Sequence, residues 1–242
     1  MATDSPPGEA ASSPHLVLWD IDRTLVTIGG GVSRAAYELA FRQVTGKPLG
    51  ELPDMSGRTD RAILKETLRL NGVEQTETLF GEFYAALATA TRRLTDRMRE
   101  AGTVLPGARE AIASCSARHT VQSAVTGNIR PVAIAKLGAL GLGDGIDFAV
   151  GGYGDDSGDR ADLVRQARKR ASEKYGHGFA GRLTVVIGDT PHDVRGALDA
   201  GALAVAVATG TYTTEELRRA GADIVLTDLR DFASRCGPAL GW

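Results

Sequence analysis

Asp20 and Asp22 are the residues best suited by type and spacing to do chemistry. They stand two positions apart, directly after the apolar run Leu16-Val17-Leu18-Trp19, and Thr24 follows. An unbroken apolar run this short predicts a strand buried on both faces, as in a parallel sheet. Side chains alternate along a strand, so both carboxylates point the same way if the strand continues through them. Two carboxylates at the end of a buried strand are costly unless a cation offsets them, and a divalent ion does that well. One carboxylate could then attack an electrophile while the other gives and takes a proton. Asp-x-Asp alone is equally compatible with a strand ending in a solvated acidic turn, so the rest of the chain decides.

Three further polar clusters follow apolar segments. Thr126-Gly127-Asn128 ends a strand predicted over Thr120–Val125. Asp189 and Asp193 follow the apolar run Leu183–Ile187. Arg160 opens the helix after a short strand predicted at Phe148–Val150. Further strands are predicted at Leu203–Val207 and Ile224–Leu226. Strands alternating with helices predict an α/β fold, a doubly wound parallel sheet of Rossmann-like type. Functional residues in such sheets gather outside the carboxyl ends of the strands, which would bring these four clusters to one crevice.

The segment from Gly31 to Glu100 has a different texture. Val32, Ala36, Leu39 and Ala40 recur at helical spacing, as do Ile63, Leu64, Thr67 and Leu68, and one long helix is predicted over Glu74–Glu100. Gly29-Gly30-Gly31 reads as a hinge. The expected organisation is a disordered tail over 1–14, an α/β catalytic core over 15–28 and 103–242, and an inserted all-helical cap domain over 29–102.

Composition narrows the function classes. The 242 residues carry a net charge of −2 and are 43% hydrophobic, which argues against a basic nucleic-acid platform. No apolar run approaches the roughly 20 residues that span a membrane. The N-terminal MATDSPPGEAASSP lacks the pattern of a secretory signal. Cys115 and Cys236 are the only cysteines, and no CxxC is present. A cytoplasmic monomer or homodimer with free thiols is expected.

A phosphate monoester would suit such a site. Asp20, the backbone carbonyl of Asp22 and Asp189 would hold Mg²⁺, with Asp193 holding a coordinated water or a nearby cation. Thr126 and the amides of Gly127 and Asn128 would donate to phosphoryl oxygens, and Arg160 would neutralise charge on Asp20 and the transferring group. Asp20 would attack phosphorus. Asp22 would protonate the leaving oxygen and then deprotonate the hydrolytic water.

The same residues carry a family resemblance. Asp20-Ile21-Asp22-Arg23-Thr24-Leu25 resembles the DxDGTL signature of the haloacid dehalogenase superfamily. Thr126-Gly127-Asn128 resembles its second motif, Arg160 its basic third, and Gly188-Asp189-Thr190-Pro191-His192-Asp193 its fourth. The resemblance covers nearly the whole chain after the tail. It implies a mobile helical cap, and a subgroup that includes phosphoglycolate phosphatases, phosphohexomutases, phosphonatases and dehalogenases. In that family an Asp at the position of Asp22 accompanies phosphoryl transfer, which disfavours the last two. The expected activity is Mg²⁺-dependent hydrolysis of a small phosphorylated metabolite through an aspartyl phosphate. The alternatives are a phosphohexomutase like beta-phosphoglucomutase, or a non-catalytic phosphometabolite-binding protein.

Two positions depart from the family pattern. Arg23 stands where Gly is usual and is expected to point toward the cap and contact substrate or cap carbonyls. Arg160 stands where Lys is commoner. Arg58, beside a helix start capped by Thr59, is either solvated or reaches substrate on closure. The loop Gly151–Asp159, with Asp155, Asp156 and Asp159, reads as solvated. Among the histidines, His192 is expected near the crevice, and His15, His119 and His177 at the surface or at helix caps.

Overall fold

The computed structural model describes residues 14–118 and 120–242. The tail expected over 1–14 therefore lies, except for Pro14, outside the described residues, as does His119. Strand β1 (Leu16–Trp19) is followed by a short β2 (Val26–Ile28). Four helices come next: α1 (Val32–Thr45), α2 (Asp60–Leu70), α3 (Glu77–Arg93) and α4 (Thr95–Ala101). The chain returns through β3 (Gly102–Val104) to α5 (Ala108–Ser116), β4 (Val121–Ala124), α6 (Arg130–Ala139) and α7 (Arg160–Tyr175). It ends with β5 (Thr184–Gly188), α8 (Pro191–Asp199), β6 (Leu203–Val207), α9 (Thr214–Arg219), β7 (Ile224–Leu226) and α10 (Phe232–Cys236).

The five-stranded sheet runs β4-β1-β5-β6-β7, with every pairing parallel. Alternate residues of the apolar strands feed two separate cores, as the period of two requires. Val17, Trp19, Val185, Ile187, Val205 and Val207 pack with α5, α6 and α10 on one face. Leu16, Leu18, Val186, Ala204 and Ala206 pack with α7, α8 and α9 on the other. The fold is the doubly wound α/β sheet that the alternating elements predict. Because β1 lies between β4 and β5, the chain leaving β1 is flanked by the loops after both neighbours.

Helices α1 to α4 form a third core, which also takes in Ile129 and Val132 from the start of α6. This block hangs from a two-stranded antiparallel ribbon, β2 with β3, that the sequence pattern did not predict. Gly30 and Gly31 sit at φ 62° and 65°, where the chain turns into α1, so the glycine run has a conformational reason.

Two expectations are corrected. The helix predicted over Glu74–Glu100 begins at Glu77, capped by Thr76, and breaks at Leu94 into α3 and α4. The Thr95 hydroxyl donates back to the Arg92 carbonyl at 2.8 Å, a side-chain bond that competes with the helical ladder. No strand forms at Phe148–Val150. One parallel bridge joins Val125 to Gly152 instead, where the backbone runs so close to α7 that an added Cβ would lie 2.0 Å from the Leu163 carbonyl oxygen. The acidic loop exposes Asp155, Asp156 and Asp159, as expected, and it is also tied down: Asp159 caps α7 and Asp156 pairs with Arg170 at 2.7 Å.

Candidate active site

Strand β1 ends at Trp19, so Asp20 and Asp22 do not continue its alternation. The Asp20 amide still donates to Ile187 of β5, 2.8 Å away, which fixes Asp20 beside the end of that strand. Its carboxylate is buried and takes the Thr24 hydroxyl at 3.3 Å. The chain then turns sharply, with the amides of Leu25 and Val26 both donating to the Ile21 carbonyl. That turn sends the Asp22 carboxylate elsewhere, into contact with Asn128 and Lys136.

Asp20, Asp189 and Asp193 each offer a carboxylate oxygen within 4.8 Å of the others. All three are buried. Burial, with Asp193 beside it, pushes Asp189 up to about 7, and burial with the same neighbour drives Asp20 well above the carboxylate range. Concentrated buried carboxylates of this kind fit a hard divalent cation, whose charge offsets the repulsion. The Asp22 carboxylate lies outside that group, so its side chain is not part of the carboxylate cluster.

Asp193 has two tasks. One oxygen closes the capping box of α8, accepting from the Thr190 amide and hydroxyl at 3.1 and 2.7 Å. The other lies 3.0 Å from Arg160 Nε. Arg160 Nη2 lies 3.8 Å from Asp20, and Nη1 is buried without a hydrogen-bond partner among the described residues. Arg160, the expected basic residue, thus lies between the Asp20 carboxylate and α8. Two lysines farther along α7 do not reach the site: Lys169 faces Glu173 and Lys174 binds Asp147.

The loop after β4 brings in the second cluster. Thr126 Oγ1 accepts from the Asn128 amide at 3.3 Å and from Asn128 Nδ2 at 2.9 Å. The Gly127 amide has no partner among the described residues, whereas the Asn128 amide, expected to donate to phosphate, is already engaged. Gly127 cannot carry a side chain, because an added Cβ would lie 2.2 Å from the Arg58 carbonyl oxygen.

Lys136 is the residue that the sequence reading missed. It is buried on α6, and its ammonium lies 2.7 and 2.6 Å from the two Asp22 oxygens and 2.9 Å from Asn128 Oδ1. Asn128 Nδ2 donates to Asp22 at 2.7 Å. Burial works to raise the Asp22 carboxyl, but Lys136, Asn128 and Arg23 outweigh it and hold it below its ordinary value. A signal existed: Lys136 falls on the face of α6 that otherwise carries Val132, Ala133 and Leu137.

One cavity of about 710 Å³ joins these groups to the helical block. Asp20, Asp22, Thr126, Gly127, Asn128, Arg160 and Asp189 line its core side, with His192 as expected. Arg23 and Arg58 also line it. Arg23 is the one non-glycine residue with positive φ (63°) among the described residues, which explains why a glycine is at home there. Its carbonyl accepts from Thr209 at 2.5 Å. The Arg58 guanidinium donates to the Asp54 and Ala62 carbonyls at 3.3 and 3.2 Å, and Thr59 caps α2.

The helical block is tied to this site directly. The Asp60 amide donates to the Gly127 carbonyl at 2.6 Å, and the Arg61 amide donates to Gly154. The buried Asp60 carboxylate accepts from Tyr37 of α1 at 2.6 Å and from the Ile129 amide at 2.7 Å. Among the described residues no helix is long and apolar enough to cross a membrane.

Comparison with known proteins identifies the family. A family model for haloacid dehalogenase-like hydrolases matches residues 17–197. The "Probable phosphatase IndB" of Dickeya dadantii is 27% identical over 230 residues, covering 87% of this chain and 88% of that protein. A solved hydrolase from Pseudomonas syringae is 24% identical, with a TM-score of 0.62 over 93% of this chain and 99% of its own. A haloacid dehalogenase-like protein from Streptococcus pneumoniae has 18% identity and a TM-score of 0.59, covering 91% and 97% of the two chains. These two likenesses show the fold.

Proposed function

Since the chain belongs to the haloacid dehalogenase-like hydrolase family, we propose that it is a Mg²⁺-dependent phosphatase. It hydrolyses a small phosphate monoester through an aspartyl phosphate on Asp20. The observation that carries the reading is the division between two carboxylates in one cavity. Asp20 is buried beside Arg160, Asp189 and Asp193, while Asp22 is held by Lys136 and Asn128. The phosphatase named among its relatives supports it.

Asp20, Asp189 and the backbone carbonyl of Asp22 are the groups that would hold Mg²⁺, with Asp193 close by. When bound, the ion supplies positive charge that lets an anionic carboxylate approach a phosphate dianion. Asp20 attacks phosphorus, the bond from phosphorus to the leaving oxygen breaks, and Asp22, which its cationic neighbours keep ionised until it takes up a proton from solvent at its exposed edge, gives that oxygen the proton. Asp22 then takes a proton from the water that attacks the aspartyl phosphate, which frees Asp20 and inorganic phosphate. Thr126, the unpaired Gly127 amide and Arg160 Nη1 are the donors available to the phosphoryl oxygens. Helices α1 to α4 act as the cap that closes over the leaving group, with Arg23 and Arg58 at the cavity wall.

The test is phosphate release from a panel of small monoesters, with Mg²⁺ or chelator, beside Asp20→Asn. Turnover that both chelator and the substitution abolish is expected. Turnover that survives Asp20→Asn would sink the reading.

A further inference from the structure

Resting on that reading, we propose that Lys136 is a positioning residue that holds the Asp22 carboxylate in the orientation its proton exchange requires. The Asp22 side chain is 43% exposed, and Lys136 and Asn128 supply every hydrogen bond its carboxylate receives among the described residues. A terminal carboxylate torsion is broad and soft. Without Lys136 the group would swing about its own bond, and proton transfer depends on hydrogen-bond reach.

Folding alone gives a poor account of Lys136. Its neighbours on the buried face of α6 are Val132, Ala133 and Leu137, so an apolar residue would continue that face. Burying an ammonium is costly, and replacing a buried ion pair with packed apolar groups is often neutral or stabilising. All three acceptor contacts of the ammonium go to cavity residues, two to Asp22 and one to Asn128. Asn128 is itself fixed by Thr126, so the second cluster and α6 together aim one carboxylate.

The test compares kcat/KM on an aryl phosphate with a good leaving group and an alkyl phosphate with a poor one. This parameter reports aspartyl-phosphate formation, the step in which only the alkyl leaving oxygen depends on a donated proton. Lys136→Met is expected to lose about 10²-fold on the alkyl ester and roughly a tenth of that or less on the aryl ester, the range of a lost general acid. Asp22→Asn is expected to show the same discrimination. Lys136→Met added to Asp22→Asn should then cost nothing more, because the lysine acts through the aspartate. Lys136→Gln, which keeps an NH₂ donor group but loses the charge and the reach, carries the same comparison if the Met variant does not fold. Equal losses on both esters, or a double variant clearly worse than Asp22→Asn, would overturn the proposal. A wild-type enzyme that turns over neither ester would instead bring down the phosphatase reading, and the role of Lys136 with it.

Discussion

Gly196 lies directly beneath the Arg160 side chain: a Cβ added at Gly196 would stand 2.5 Å from Arg160 Cγ and 2.8 Å from its Cβ. A mid-helix glycine ordinarily weakens a helix by about 1 kcal/mol relative to alanine. Here it leaves the room through which Arg160 crosses α8 to reach Asp193 and Asp20.

Gly196→Ala is therefore expected to lower kcat by at least about tenfold, the scale of one displaced electrostatic donor. Because the contact includes Arg160 Cβ and its backbone carbon, α7 and α8 must move apart, an overpacking cost of about 1–3 kcal/mol that the helix propensity gained in α8 offsets only in part. Steady-state kinetics beside circular dichroism checks this. Unchanged kcat would show that Arg160 is not held by the contact.

Arg23→Gly should stabilise the protein while weakening activity. A left-handed conformation costs a non-glycine residue roughly 1–2 kcal/mol, and glycine returns about 0.5–1 kcal/mol of that as unfolded-state entropy. A net gain of about 0.5–1 kcal/mol should appear in chemical denaturation. A fall in kcat/KM alongside it would mark Arg23 as a cavity contact retained despite its strain.

Asp60 couples the helical block to the loop that carries Asn128. Asp60→Ala leaves the Tyr37 hydroxyl and the Ile129 amide without their buried acceptor, and each such loss costs about 1–3 kcal/mol. A drop of about 2–6 kcal/mol in unfolding free energy is expected by urea titration. Asp60→Asn, which keeps an acceptor oxygen, should lose clearly less. Equal losses would show that charge rather than hydrogen bonding holds the junction.

These cases show which features were legible in the sequence. Asp20, Thr126, Arg160 and Asp189 could be read because each follows an apolar strand or opens a helix, and parallel strands align their ends. Lys136 was hidden because a single lysine in a helix reads as surface until its face is counted. The β2–β3 pairing was hidden because it joins two three-residue segments across the whole helical block. Gly151-Gly152 is a close backbone approach rather than the end of a strand, and only the position of α7 reveals it. Arg23 was visible as a departure from the family pattern, but its positive φ was not.

Metal binding should depend on pH with a definite sign. Asp189 sits at about 7 in the protein against a usual value near 4. Without metal, its ionisation therefore works against folding as pH rises from about 4 to 7, and the cost is fully present above 7. A cation relieves that cost, and protons compete with it below 7. Mg²⁺ should thus raise Tm more at pH 8 than at pH 5.5, and its apparent affinity should weaken on acidification. A thermal shift independent of pH would remove Asp189 from the cation site.

The central claim is that Asp20 forms the covalent intermediate. Asp22→Asn incubated with an aryl phosphate and Mg²⁺ should form the aspartyl phosphate, because that leaving group needs no acid, and should hydrolyse it slowly. Acid quenching and peptide mass spectrometry should then find a phosphoryl group on Asp20. A phosphoryl group on another residue, or none while aryl alcohol is still released, would contradict the account.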